Sequence, residues 1–510
     1  MSAGSLPRAW AGLWHATPDQ NALADVGASW VTNRDLLERT AAVATYLRNR
    51  GIVAGDRILM SSPPSVALVI AHVAALRLGC IVVPVNTAYT ASEVTSVAEQ
   101  ARPVFAVVDD PTRLPDIASL TPEALVGDAV GAVGAVGAVE AAEDVISTAP
   151  DSTLLDAAAT DDPALLMFTS GTTGKPKGVV LTHGNILASA EALRIAWKWS
   201  AADRLVLALP LFHMHGLGVG VHGTLLAGAS AIVVPKFDVD TVFDAARDFD
   251  ATLMFGVPTM WVRLVESPRS VELSRLRLCV SGSAPLSPDV FSALVEQGSQ
   301  TILERYGMTE TVMNVSNPYD GERRPGSVGF ALPGVMVRLA GDPSLPPTDP
   351  GEILLKGPNV MHTYWENPEA TTAAFDAEGW FLTGDIGQFD PDGYLRIVGR
   401  SKDLIITGGF NVYPREVEEA LLLHPSVAEC AVAGRPDPQW GETVVAYVVL
   451  ARGHDSTGDL GDIEDPEAVK ATILEHAEKH LARFKQPRSI CFLGSLPRNA
   501  LGKVLKNELH

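Results

Sequence analysis

Over roughly the first four hundred residues, short apolar runs rich in β-branched side chains alternate with alanine- and leucine-rich stretches of helical pattern. "RILMSS", "CIVVPV", "VFAVVDD", "RLVLALP", "SAIVVPKF", "ATLMFGVP" and "LRLCVSGS" carry almost no polar residue inside the run. Strands of that kind must be covered on both faces, which is what helical crossovers between parallel strands do. The alternation therefore restricts the chain to an α/β architecture of parallel sheets flanked by helices. From about residue 330 the texture changes to short strands with Pro, Gly and Asp turns, "GEILLKGPNV" and "GWFLTGDIGQFDPDGYLRIVGR", which predicts a small distorted β-barrel. After it, "SKDLIITGGFNVYPREVEEALLL" combines a polar start, a strand, a Gly-Gly turn and an amphipathic helix. The expected division is a large domain over 1–401 and a small α+β domain over 402–510.

A chain of 510 residues with 47% hydrophobic composition is long enough for at least two folding units, each with its own core. The net charge of −21 argues against a nucleic-acid partner, whose footprint is a basic face. Cys80, Cys279, Cys430 and Cys491 show no C-x-x-C spacing, so neither a zinc site nor a disulfide framework is expected. "MSAGSLPRAWAGLWHATPD" lacks the basic and apolar regions of a secretory leader, which predicts a cytoplasmic protein. The apolar stretch from Val66 is interrupted by His72, Arg77 and Pro84, and reads as a buried helix feeding a strand rather than a membrane span. The Gly-Ala-Val array "VGDAVGAVGAVGAVEAAED" reads as a surface insertion without chemistry.

"TSGTTGKPKG", residues 169–178, holds three glycines, four hydroxyl side chains and two lysines, the chemistry of a polyanion cradle. It is not the nucleotide-triphosphatase loop. That pattern needs Gly where Thr169 stands and a hydroxyl residue where Pro176 follows Lys175. "SGSAPL" from Ser281, "ERYGMTET" from Glu304, "TGD" ending at Asp385 and "PRNALGKVLK" from Pro497 complete an ordered set.

This set, spread over nearly the whole chain, resembles the adenylate-forming enzymes: acyl-CoA synthetases, luciferase-like ligases and the adenylation domains of peptide synthetases. The resemblance implies ATP, Mg2+ and CoA as reactants. A carboxylate would attack the α-phosphate of ATP to give an acyl-adenylate and pyrophosphate, and a thiol would then displace AMP. On this resemblance Thr169, Ser170, Gly171, Thr172, Thr173, Gly174 and Lys177 hold the departing phosphates. Glu310 ligates the metal, with Thr309 beside it. Ser283, Ala284, Pro285, Glu304, Tyr306, Gly307 and Met308 line the nucleotide, Tyr306 offering a stacking face. Asp385 receives the ribose hydroxyls and Arg400 supports it. Lys503 supplies the positive charge at the reacting phosphate. Lys402 is the expected hinge of a mobile domain that brings Gly408 and Gly409 to the thiol channel.

The resemblance also implies where the acid's pocket lies, at His213, His215, Ser281, Arg305 and Met308. A guanidinium in a pocket floor is costly to bury alone, and a second carboxylate on the substrate would remove that cost. The segment around Arg305 resembles the malonyl-CoA synthetases most, which predicts malonate or a related short dicarboxylate; the alternative is a short- or medium-chain or aromatic monocarboxylate, with Arg305 paired to Glu304 or another internal acid. Val312 departs from the polar residue that related synthetases tend to carry there. Two other classes stay open: loading of a carrier protein's phosphopantetheine instead of free CoA, and a non-enzymatic module that senses nucleotide.

Overall fold

The computed structural model describes residues 4–139, 155–169, 176–298, 300–341, 349–451, 466–498 and 504–509. Two compact units are present: Met1–Pro325 with Gly329–Met336 and Leu355–Phe381, and Gly326–Val328 with Val337–Leu354 and Leu382–His510.

The first unit holds two large sheets. One runs, in spatial order, Phe330–Ala331, Val315–Ser316, Leu303–Tyr306, Leu278–Ser281, Leu253–Gly256, Arg204–Leu207, Ser230–Val233, Asn21–Asp25 and Val31–Thr32. Its six strands from Leu303–Tyr306 to Asn21–Asp25 are mutually parallel. The other runs Thr363–Tyr364, Lys177–Thr182, Pro163–Thr169, Ile81–Pro84, Arg57–Ser61, Phe105–Val108 and Ser119–Leu120. It is parallel except where Lys177–Thr182 pairs antiparallel with both its neighbours. Each of the seven apolar runs contains a strand of these sheets, and most of those strands are buried along their whole length, as strands covered on both faces must be.

The apolar stretch from Val66 is the helix Val66–Leu78, buried almost all round, followed by Ile81–Pro84. The Ser65 side chain accepts from the Leu68 amide at its start, and Gly79, at φ 85°, ends it in the left-handed region. Among the described residues no helix is long and apolar enough to cross a membrane. The first part of the Gly-Ala-Val array lies at the surface, with Gly127, Asp128, Val130, Gly131 and Ala132 exposed, but it is part of the helix Pro122–Val139 rather than an insertion between elements. Leu125 and Ala129 of that helix are buried, which packs it into the unit. Residues 140–154 lie outside the described residues.

In the second unit a four-stranded sheet orders Met336–Leu339, Gly351–Lys356, Phe381–Phe389 and Leu395–Arg400. The short 3₁₀ turn Ser401–Asp403 leads from it to a five-stranded sheet. There Gly441–Leu450 lies antiparallel to Val427–Asp437 and parallel to Ser489–Phe492. The helices Pro414–Leu422 and Pro466–His480 cover one face through Val417, Leu421, Ile473 and Ala477, against Val432, Val444, Ala446 and Val448. All four cysteines are free, with Cys80 and Cys279 buried.

Candidate active site

Parallel α/β sheets present side chains at the carboxyl ends of their strands, and the expected acid-binding residues gather at such an end. Ser281 closes Leu278–Ser281, and Arg305 lies in the adjacent parallel strand Leu303–Tyr306. The guanidinium lies against Gly282, where a β-carbon would stand 2.4 Å from Arg305 Cζ, so only glycine admits it. Arg305 is 6% exposed, and its Nε and Nη2 have no hydrogen-bond partner among the described residues. Glu304, its neighbour along the strand, projects to the opposite face and does not neutralise it. Burial alone pulls Arg305 from the usual arginine range down to about 9.

Two histidines face this cation from the segment after Arg204–Leu207. Burial first, then Arg305, holds His213 down at about 4 and His215 well below the usual histidine range, so both are neutral at pH 7. His215 opens a π-helical turn, His215–Val221, a distortion common at functional sites. Its Nδ1 lies 3.4 Å from Ser283 Oγ and its ring stacks 6.2 Å from Phe255. His215 Nε2 and Ser281 Oγ are buried without partners among the described residues. Leaving such groups unpaired costs roughly 1–3 kcal/mol apiece, which a polar ligand would remove.

The turn after Arg305 carries the next expected group. Gly307 has no room for a side chain, since a β-carbon would stand 2.2 Å from the Val312 carbonyl oxygen. Tyr306 is 6% exposed and its hydroxyl is 3.8 Å from Met308 Sδ. Thr309 is half-buried and Glu310 buried. Tyr364, which nothing in the sequence singles out, donates its hydroxyl to Glu310 Oε1 at 3.2 Å. The Lys177 ammonium stands 5.3 Å over the Tyr364 ring. Val312 sits at φ 55°, a left-handed conformation that Asn and Asp tolerate far better than a β-branched residue. That backbone gives a physical reason for the polar residue expected at the position.

The antiparallel pair Pro163–Thr169 and Lys177–Thr182 places Thr169 opposite Lys177. Ser170, Gly171, Thr172, Thr173 and Gly174 lie outside the described residues, as does Lys503. Ala284 and Pro285 follow Ser283 in the link to the helix Pro288–Gly298, with Ser283 itself at φ 71°.

In the second unit Asp385 and Arg400 are direct partners across the antiparallel strands Phe381–Phe389 and Leu395–Arg400, with Arg400 Nε 3.0 Å from Asp385 Oδ1. The carboxylate is buried while the guanidinium is 40% exposed. Lys402 is exposed in the turn Ser401–Asp403. Gly408 and Gly409, at φ 57° and 83°, form the hairpin turn between Ile405–Thr407 and Phe410–Val412.

Residues 11–365 match the family described as AMP-binding enzyme, and residues 416–503 match the AMP-binding enzyme C-terminal domain. A feruloyl-CoA synthase of Amycolatopsis sp is 36% identical over 491 residues, 95% of this chain and 94% of that protein. A malonate–CoA ligase of Arabidopsis thaliana is 38% identical over 370 residues, 68% of this chain and 60% of that protein. The crystal structure of ATP-bound MatB from Rhodopseudomonas palustris superposes with a TM-score of 0.87 at 37% identity, covering 98% of this chain and 97% of that one. With matched segments over both units, the chain belongs to the AMP-binding enzyme family and is an AMP-forming acyl-CoA ligase that uses ATP and CoA.

Proposed function

We propose that this ligase activates a short dicarboxylic acid, malonate or a close relative such as methylmalonate. The observation that carries the reading is Arg305: a guanidinium buried without a counter-ion among the described residues, beside neutral His213 and His215. A substrate with one carboxylate reacting and a second one on Arg305 would satisfy a cation that the described residues leave unpaired. Ser281, His215 and Met308 would complete the pocket. Similarity to a malonate–CoA ligase supports the reading, while similarity to a feruloyl-CoA synthase supports an aromatic monocarboxylate as the alternative. Free CoA is preferred over a carrier-protein thiol because both of these relatives are named as acting on CoA.

In the first step the substrate carboxylate oxygen attacks the α-phosphorus of ATP, and the bond to the β-phosphate oxygen breaks to release pyrophosphate. Thr169, Ser170, Thr172, Thr173 and Lys177 would hold that leaving group. A lone protein carboxylate suits Mg2+, which keeps most of its water and shares phosphate oxygens; Glu310 fits that need, with Thr309 beside it. When bound, the ion would offset phosphate charge. Asp385 would accept the ribose hydroxyls while Arg400 holds its carboxylate, and Tyr306, Ala284 and Pro285 would line the adenine. Lys503 would stabilise the charge that develops at phosphorus. In the second step the thiol sulfur attacks the acyl carbon, its proton is lost and AMP departs. We assign the intervening change to a hinge at Lys402, dividing 1–401 from 402–510, with Gly408 and Gly409 leaving room for the pantetheine arm. A cytoplasmic location belongs to this reading, and the four free cysteines fit it.

The test is pyrophosphate release with CoA across a panel of mono- and dicarboxylic acids. Malonate or methylmalonate is expected to give the highest kcat/KM. An aromatic or straight-chain monocarboxylate that outruns every dicarboxylate overturns the reading.

A further inference from the structure

One short segment of the first unit joins the turn that carries Glu310 to the strand that carries Lys177. The Asn359 amide nitrogen lies 2.7 Å from the Thr311 carbonyl oxygen, 3.0 Å from that of Met313 and 3.0 Å from Asn314 Oδ1. Met361 donates its amide to the Glu310 carbonyl at 2.8 Å. Two residues later the chain pairs with Lys177–Thr182, Thr363 opposite Val180 and Tyr364 opposite Val179. Trp365 then donates its amide to the Gly178 carbonyl at 2.7 Å. The segment therefore fixes a turn of the nine-stranded sheet against a strand of the seven-stranded sheet, and it is itself held by Asn185, which donates to the carbonyls of Pro358 and Val360.

Tyr364 is the side chain of this segment that meets both charged groups. Its hydroxyl donates to Glu310, and its ring lies under the Lys177 ammonium. Tyr364 is 7% exposed, so the ring occupies space that water does not. Lys177 makes no ion pair among the described residues, although a carboxylate lies one phenol away. A lysine and a glutamate this close would attract one another, and their direct pairing would neutralise both. A phenol between them gives the carboxylate a neutral donor and the ammonium an aromatic face, and keeps the two charges apart.

We propose that Tyr364 is a positioning residue: a spacer that orients the Glu310 carboxylate and holds the Lys177 ammonium away from it, so that both address the phosphates of ATP. This deepens the reading that Glu310 and Lys177 serve the pyrophosphate end, and rests on it. Because the two charged groups that Tyr364 meets, Glu310 and Lys177, are both assigned to the phosphates, its effect is expected on ATP and on the first half-reaction.

The test compares Tyr364→Phe, which keeps the spacer and removes the donor, with Tyr364→Leu, which removes both, and with Glu310→Gln, alone and combined with Tyr364→Phe. Binding of ATP with Mg2+ is read by calorimetry, beside ATP–pyrophosphate exchange and thioester formation from supplied acyl-adenylate. Tyr364→Phe is expected to weaken ATP binding roughly tenfold and Tyr364→Leu further, with the KM of the acid and the thioester half-reaction unchanged. In the Glu310→Gln background Tyr364→Phe is expected to add almost nothing, the signature of a shared interaction. If Glu310→Gln weakens ATP binding while neither Tyr364→Phe nor Tyr364→Leu does, or if the losses of Glu310→Gln and Tyr364→Phe simply add, the positioning role of Tyr364 is overturned while the reading of the site stands. Equal loss in both half-reactions also overturns it, since that marks a merely structural residue. If Glu310→Gln leaves ATP binding unchanged, the pyrophosphate-end reading fails and the spacer falls with it.

Discussion

Arg305 titrates in a range that enzyme kinetics can reach. Its folded pKa is about 9, lowered by burial, whereas in the unfolded chain it keeps the ordinary arginine value. Below about pH 9 both states are charged and the folded state bears the whole burial cost. As the pH rises through 9 the folded protein releases the proton while the unfolded chain keeps it, so this residue's contribution to stability increases. Recognition of a second carboxylate moves the other way, because it needs the charged form. For malonate, KM is expected to be flat between pH 7 and 8 and to climb toward tenfold per pH unit above 9, while KM for butyrate stays level. Parallel profiles for the two acids would exclude a charge-specific role. His213, held at about 4, stays neutral throughout and contributes no inflection. Arg305 was legible in the sequence because it stands just before Tyr306, where the resembled family's acyl pocket is expected, and a guanidinium placed there needs a partner. Tyr364 was not: in "HTYWENPEAT" it is one aromatic in a two-residue strand, and its role comes from a contact with Glu310, 54 positions earlier.

At the scale of elements, the apolar runs were readable because a strand covered on both faces has no freedom to be polar. The helix Pro122–Val139 was missed for the opposite reason. Repeated Gly, Ala and Val give no polar stripe to set a helical period, and glycine weakens a helix interior by about 1 kcal/mol relative to alanine. What holds it is tertiary contact: Leu125 and Ala129 are buried, and Asp128 accepts from the Tyr46 hydroxyl at 3.1 Å. The connection Ser401–Asp403 is the element on which the proposed two-step cycle turns. Proline at Lys402 would fix its own φ and restrict Ser401 before it. Lys402→Pro is expected to retain ATP–pyrophosphate exchange within about threefold while overall thioester formation falls by at least tenfold, as for other conformational gates. Equal loss or full retention of both activities would remove Lys402 from the hinge.

For the whole molecule, the reaction class was readable because five short motifs keep their order along 510 residues, and the family match spans both units. The acid was harder to read. Its proposed pocket draws on His213, Ser281 and Arg305, residues on three separate segments whose mutual distances exist only in the fold. Lys503, by contrast, rests on its motif alone, since it lies outside the described residues. The dicarboxylate assignment is tested most directly by the ratio of kcat/KM for malonate over butyrate, in the wild type and in Arg305→Ala. Removing the guanidinium deletes a charge-assisted bond and strands the substrate's second charge, which is expected to cost about 2–5 kcal/mol for malonate and little for butyrate. The prediction is a wild-type ratio well above one that collapses in the variant. A wild type that already prefers butyrate, or a variant that loses both activities in proportion, would contradict it and leave Arg305 a structural residue of a monocarboxylate–CoA ligase.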